Sequence, residues 1–221
     1  MQQSAVRIIW WAALAAGISY MLPVLAGWEG PGIIAWKGAG VMLLALWAAL
    51  QARDANPEGE GWLIAMVLAF GALGDVLLDA VGLTTGAAAF AVGHVIAIIL
   101  YARNRRESLT PSQTLFGWLI APLGVLITIA LVHGQPDGIM AIAYAALAGI
   151  MAAFAWTSRF PRYRVGIGAV LFLVSDLVIF AGQTVWAGTI WPKLLIWPLY
   201  FGGQALIAWG VVKTLQAANR G

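Results

Sequence analysis

The chain has 221 residues, 62% of them hydrophobic and only 10% charged, with a mean hydropathy of +0.89. That leaves too little polar surface to cover a water-soluble domain, so a soluble fold is excluded and a polytopic membrane protein is expected. Cysteine is absent, which removes disulfides, thiol nucleophiles and thiolate metal sites; the net charge of +3 is sorted in a way that argues against a nucleic-acid partner.

An α-helix crosses the roughly 30 Å hydrocarbon layer in about 20 residues. Eight apolar stretches of about that length follow one another, at 5–25, 31–50, 61–79, 84–101, 114–132, 138–158, 164–182 and 192–215. They predict an all-α fold of eight transmembrane helices in a single transmembrane domain over 1–221, with short loops and no separate soluble part. The first stretch lacks a small-residue cleavage site and is followed by further spans, so it reads as a helix and not as a signal peptide.

The basic residues fix an orientation. Arg7, Arg53, Arg103, Arg105, Arg106, Arg159, Arg162, Arg164, Lys213 and Arg220 fall on one side of this topology, Lys193 alone falls on the other, and Lys37 lies within a span. Such an asymmetry places both termini in the cytoplasm, and a bacterial inner membrane is the expected location. Trp10, Trp11, Trp28, Trp62, Trp118, Trp156, Trp186, Trp191 and Trp209 lie near span ends, where an interfacial aromatic belt belongs.

Taken in chain order, a few polar residues interrupt the spans. Lys37 lies in the outer third of the second span. The third span reaches Asp75 roughly 21 Å from its cytoplasmic start and Asp79 one turn later. The fourth span carries His94 roughly 15 Å from the outer face, on a stripe with Phe90 and Tyr101. The seventh reaches Asp176 after roughly 18 Å, and the eighth places Tyr200 and Gln204 roughly 12 and 18 Å below its start. An ionised side chain at the bilayer centre costs at least about 2.5–3.5 kcal/mol, so such groups face the protein interior and mark function. The bland alternative for Asp75 and Asp176 is a structural hydrogen bond or an ion pair with Lys37. Asp79, at a span end, could be solvated. Glu58, Glu60 and Glu107 sit beside arginines in loops and are expected in water, as is His133 beside Gly134.

Two segments recur. Gly74-Asp75-Val76-Leu77-Leu78 is matched 101 positions later by Ser175-Asp176-Leu177-Val178-Ile179. Phe90-Ala91-Val92-Gly93-His94 is matched by Tyr200-Phe201-Gly202-Gly203-Gln204. The third and fourth spans would then correspond to the seventh and eighth, a 4+4 internal repeat with the site at the interface of the halves.

At these residues the chain resembles the YhhN-type family, which includes the lysoplasmalogenases and their animal transmembrane relatives. The resemblance rests on Lys37, Gly74-Asp75-x-x-Leu78, Phe90-x-x-Gly93-His94 with Tyr101, Gly168-x-x-x-Phe172-x-x-Ser175-Asp176 and Tyr200-x-x-x-Gln204. It departs at Lys37-Gly38, where the family often has proline after the lysine. The resemblance implies an integral membrane hydrolase that cleaves the vinyl ether bond of a lysophospholipid-like substrate, giving a fatty aldehyde and a glycerophospho-headgroup. That chemistry needs a carboxylic acid to protonate carbon and a second carboxylate to stabilise positive charge or direct water. Asp75 and Asp176 are the expected catalytic pair. His94, Tyr200 and Gln204 would orient water and substrate, with Lys37 and Asp79 tuning a carboxylate or meeting the polar end of the substrate. No metal and no cofactor is required. These residues are expected to line one cavity continuing into an apolar tunnel for the lipid chain.

A proton-coupled transporter using the buried Asp and His groups is the main alternative. An intramembrane zinc hydrolase would need a site built mostly from aspartates, since His94 is the one intramembrane histidine. An intramembrane serine protease has no Gly-x-Ser-x-Gly elbow around Ser175.

Overall fold

The computed structural model describes residues 2–218, with side chains from Ser4 onward; Arg220, counted above among the cytoplasmic basic residues, lies outside the described residues. Its α-helices are α1 (Gln2–Ser19), α2 (Met21–Ala26), α3 (Pro31–Ala49), α4 (Glu58–Ala80), α5 (Leu83–Arg103), α6 (Pro111–Leu131), α7 (Gly138–Thr157), α8 (Ile167–Gln183) and α9 (Trp191–Ala218). A 3-10 turn (Ala52–Asp54) precedes α4, and a wider helical turn (Arg162–Gly166) leads into α8. No strand occurs among the described residues. Among the described residues eight segments are long and apolar enough to cross a membrane, because α1 and α2 form one span and the Arg162–Gly166 turn extends α8.

The chain divides into two compact units, one of residues 1–100 with 208–221 and the other of residues 101–207. In the first, α3 and α4 pack closely at Gly38, where an added Cβ would lie 2.6 Å from Val76 Cγ2. Gly38 is therefore needed for this approach, which sets Lys37 against α4. The α4–α5 turn passes through Gly82 at φ 139°, a conformation that L side chains rarely adopt. Beyond it Gly86 lies against Leu78, and Gly74 against the Phe90 ring, at 2.6 and 2.8 Å from where a Cβ would sit. Membrane helices associate through such small residues because lipid supplies no hydrophobic drive between them.

The far end of this unit is tied by polar contacts. The Asn56 N–H donates to Leu215 O (3.1 Å), and Gln216 Nε2 donates to Gln51 Oε1 (2.9 Å). Trp10 and Trp209, expected in the interfacial belt, instead pack around buried Trp47, with ring centroids 4.6 and 5.8 Å from it. Trp11, Trp28, Trp62, Trp118 and Trp191 remain exposed, as a belt requires. Glu60 is a correction to the sequence reading: it is buried in the first turn of α4, where a carboxylate complements the helix dipole. Its neighbour Glu58 is exposed and accepts from Trp62 Nε1 (3.2 Å).

In the second unit α6 meets α7 at Gly149, where a Cβ would lie 2.7 Å from Ala121 Cα. The connections at one end are stitched by Arg106, whose guanidinium donates to Ser158 O and Phe160 O (3.3 Å each), and by Arg159, which donates to Asn104. At the crossing of α8 and α9, a Cβ on Gly203 would lie 2.6 Å from Gly168 O. In the first unit the Cβ position of Gly93 on α5 lies 3.4 Å from Val67 O on α4, an ordinary contact. Val67 and Gly168 are 101 positions apart, as are Asp75 and Asp176. Gly93 and Gly203 are 110 apart, as are His94 and Gln204. The two crossings fall at the spacings of the two recurring segments.

The Gly203 contact yields a stability prediction. Gly203→Ala should destabilise the detergent-solubilised protein by about 1–3 kcal/mol, through overpacking against backbone that cannot retreat. Gly202→Ala, with nothing within 4 Å of its Cβ position, should leave Tm unchanged. Equal melting temperatures for the two variants would show that the crossing is not close-packed.

Candidate functional site

The helices deliver two clusters of polar side chains, one in each unit. In the first unit, Asp75 (2% exposed) and Asp79 lie one turn apart on α4, and His94 (4% exposed) lies on α5. Lys37 comes from α3, and its Nζ donates to Asp79 Oδ1 at 2.8 Å. This is an ion pair of partly covered groups, with side chains 14% and 28% exposed. The lysine is thus neutralised by Asp79, the carboxylate at the end of the span, and Asp79 is more than a solvated end residue. Gly74, next to Asp75 in the sequence, admits the Phe90 ring of α5, 2.8 Å from where a Cβ would sit, and Asp75 and Phe90 are both buried.

In the second unit Asp176 is buried near the middle of α8. The Tyr144 hydroxyl, from α7, donates to Asp176 Oδ2 at 3.3 Å. Tyr144 packs against an apolar cluster of Val132, Ala145 and Phe180, which fixes the ring that carries the hydroxyl. Sequence reasoning passed over Tyr144, because one tyrosine on an apolar helix reads as packing; its position near the centre of the sixth span was the available signal. Tyr200 stands edge-on to Phe172 (centroids 5.1 Å, 73°) and beside Trp197 (5.6 Å). Gln204, one turn further along α9, is buried, and its Oε1 has no hydrogen-bond partner among the described residues. The Tyr101 hydroxyl, at the end of α5, is buried in the same condition, with its ring edge-on to Phe160. Buried acceptors and hydroxyls left open in this way are exceptions that call for water or a ligand.

Ser175 is not positioned as a nucleophile, since its hydroxyl donates to Phe172 O at 2.7 Å. Among the described residues no group of three or more His, Asp or Glu side chains is placed to hold a metal. His133 is exposed beyond the end of α6. Every site residue named from the sequence, apart from Lys37 and Asp79, is therefore buried in the apolar part of its unit. Such an arrangement gathers carboxyl, hydroxyl and amide groups in a dry environment, where each hydrogen bond counts for more than it does in water.

The ion pair can be tested by itself. Lys37→Met should destabilise the protein by about 1–2 kcal/mol, since it strands a partly buried carboxylate, and adding Asp79→Asn should recover most of that loss. Strictly additive melting-temperature changes in this cycle would show that the two charges are not coupled.

No curated protein and no solved structure matches the chain. The sequence model of the YhhN family matches residues 32–211, a range that holds every residue discussed above from Lys37 to Gln204. The chain belongs to the YhhN family.

Proposed function

We propose that this protein is an integral membrane hydrolase that cleaves the vinyl ether bond of a lysoplasmalogen, releasing a fatty aldehyde and a glycerophospho-headgroup. The observation that carries the reading is the burial of two carboxyls, Asp75 and Asp176, each within a YhhN-type motif and each on an apolar span. A vinyl ether is cleaved by acid. One carboxyl protonates the β-carbon, and the adjacent carbon becomes oxocarbenium-like. Water adds there and gives up a proton, and the hemiacetal then collapses to aldehyde and alcohol. One water is consumed, and the proton spent on carbon is returned. The second carboxylate stabilises the cationic carbon or takes the proton from water, a division of labour that two carboxyls in different surroundings can support.

His94, Tyr200 and Gln204 serve as orienting groups, the open Oε1 of Gln204 being an acceptor for water or a substrate hydroxyl. Lys37, balanced by Asp79, supplies a fixed dipole at the polar end of the substrate. The shared packing register of Gly93 and Gly203 supports a duplicated helix pair as the origin of the two carboxyls. Both termini are assigned to the cytoplasm on the distribution of basic residues.

Purified protein should release aldehyde from lysoplasmalogen and not from the matching saturated ether lipid. Because the assay runs in detergent, it also separates an enzyme from a proton-coupled transporter, which needs a sealed compartment. Asp75→Asn and Asp176→Asn should each abolish turnover in folded protein, with the loss in kcat and not KM, since Asn keeps size and hydrogen bonding but neither donates an acidic proton nor carries charge. Near-normal aldehyde release from both variants would make the carboxyls structural.

Tyr144→Phe removes only the hydroxyl that holds Asp176. It should lower kcat about tenfold, equivalent to the loss of one hydrogen bond of about 1.4 kcal/mol. An unchanged kcat in this variant would remove Tyr144 from the site.

A further inference from the structure

A second polar cluster lies at the opposite end of the first unit from the Lys37–Asp79 pair. Along α3 the two are separated by the ten residues from Lys37 to Trp47, roughly 15 Å of helix rise. Here a cleft of about 530 Å³ opens between the start of α1, the end of α3 with the turn after it, and the last turns of α9. Its volume falls within the range of small-molecule sites, roughly 300–1,000 Å³.

Both signs of charge line this cleft. Arg7 and Lys213 bring cations, Asp54 brings a carboxylate, and Gln51 brings a buried amide. Lys213 is held in place rather than left to wave in solvent. Its Nζ lies 5.2 Å from the Trp209 ring centroid and 5.7 Å from that of Trp47, and it donates to Gln216 Oε1 at 3.1 Å. Trp10 closes the aromatic wall against Trp209 (4.8 Å). By contrast, neither the Arg7 nor the Asp54 side chain is taken up by a hydrogen bond or ion pair among the described residues. Both are exposed at the mouth. Leu50, just after α3, lines the cleft as well, and it and Leu46 in the last turn of α3 turn outward, 41% and 44% exposed.

The geometry points to a binding site for a zwitterionic phosphodiester headgroup of the phosphoethanolamine type, distinct from the carboxyls proposed for catalysis. Arg7 and Lys213 would take the phosphate, and Asp54 the ammonium. Tryptophan rings at the membrane–water boundary suit a ligand that is polar at one end and apolar at the other. The outward leucines offer a surface for its acyl chains. A planar guanidinium beside an ammonium is a strong phosphate-binding combination, and a carboxylate on the rim disfavours a purely anionic ligand. The reading does not depend on vinyl ether cleavage.

The test is a titration of delipidated, detergent-solubilised full-length protein, followed by native mass spectrometry. The probes are dioleoyl phosphatidylethanolamine, dioleoyl phosphatidylglycerol, dioleoylglycerol and the chain-free glycerophosphoethanolamine. Phosphatidylethanolamine should bind most tightly. Arg7→Gln and Lys213→Gln should each weaken it at least tenfold, and Asp54→Asn should erase its preference over phosphatidylglycerol. Lys213→Gln also removes contacts that tie α9 to Gln51, so Arg7→Gln, an exposed replacement, is the decisive variant. If glycerophosphoethanolamine competes with the lipid, the headgroup alone is recognised, whether free or lipid-borne; if it does not, and Arg7→Gln still weakens the lipid, the occupant is a membrane lipid. Unchanged binding in Arg7→Gln, or dioleoylglycerol binding as tightly as the phospholipid, would overturn the proposal.

Discussion

A carboxyl carried into the hydrocarbon layer finds no water there, so the helices around it must provide both its cover and its hydrogen bonds. Much of the local packing in this protein serves that requirement. Next to Asp75 in the sequence, Gly74 lets an aromatic ring from α5 close over the α4 backbone. Asp176 takes its hydrogen bond from the Tyr144 hydroxyl, whose ring packs against an apolar cluster that includes Ala145 and Phe180. Lys37 is accommodated differently, because it lies nearer the span end and can be matched by a partly exposed Asp79. Its energetic worth is accordingly smaller than that of a fully buried pair, and its removal is felt chiefly through the partner it strands.

Close helix approach is the second consequence. Two helices that must enclose polar groups in lipid gain by bringing backbones together, and small residues at the crossing permit it. Gly203 against Gly168 does this, whereas Gly93 meets Val67 at an ordinary contact distance; each glycine directly precedes a polar residue, His94 or Gln204. The glycine and the polar side chain are therefore one device. The first sets the helix separation, and that separation decides how tightly the second is enclosed.

The span architecture was legible in the sequence because length and hydropathy alone determine it in a membrane; all eight stretches were found, with ends shifted by a few residues where Glu58 and Arg162 are drawn into helical turns. Burial of Asp75, His94, Asp176, Tyr200 and Gln204 was legible for the same reason, since a polar group in a span has nowhere else to go. Glu60 was misread because it stands among charged residues that are solvated, and only the packing of α4's first turn against the preceding 3-10 turn encloses it. Tyr144 and the gathering of Trp10, Trp47 and Trp209 were not legible. Each depends on which faces of sequence-distant helices meet, and hydrophobic periodicity is nearly silent in spans that are apolar all round.

Tryptophan illustrates how the same residue acquires two roles in one chain. Where a ring stands at the membrane boundary without a neighbour, as Trp11 and Trp118 do, its amphipathic character anchors the span and nothing more. Where three rings converge, with Trp47 only 2% exposed, they form a wall that can hold a cation at its face, and Lys213 is held there. Immobilising that ammonium removes much of the rotamer entropy a flexible lysine would lose on binding an anion. A held cation and an exposed arginine thus line the same cleft, and only the first is fixed by its neighbours.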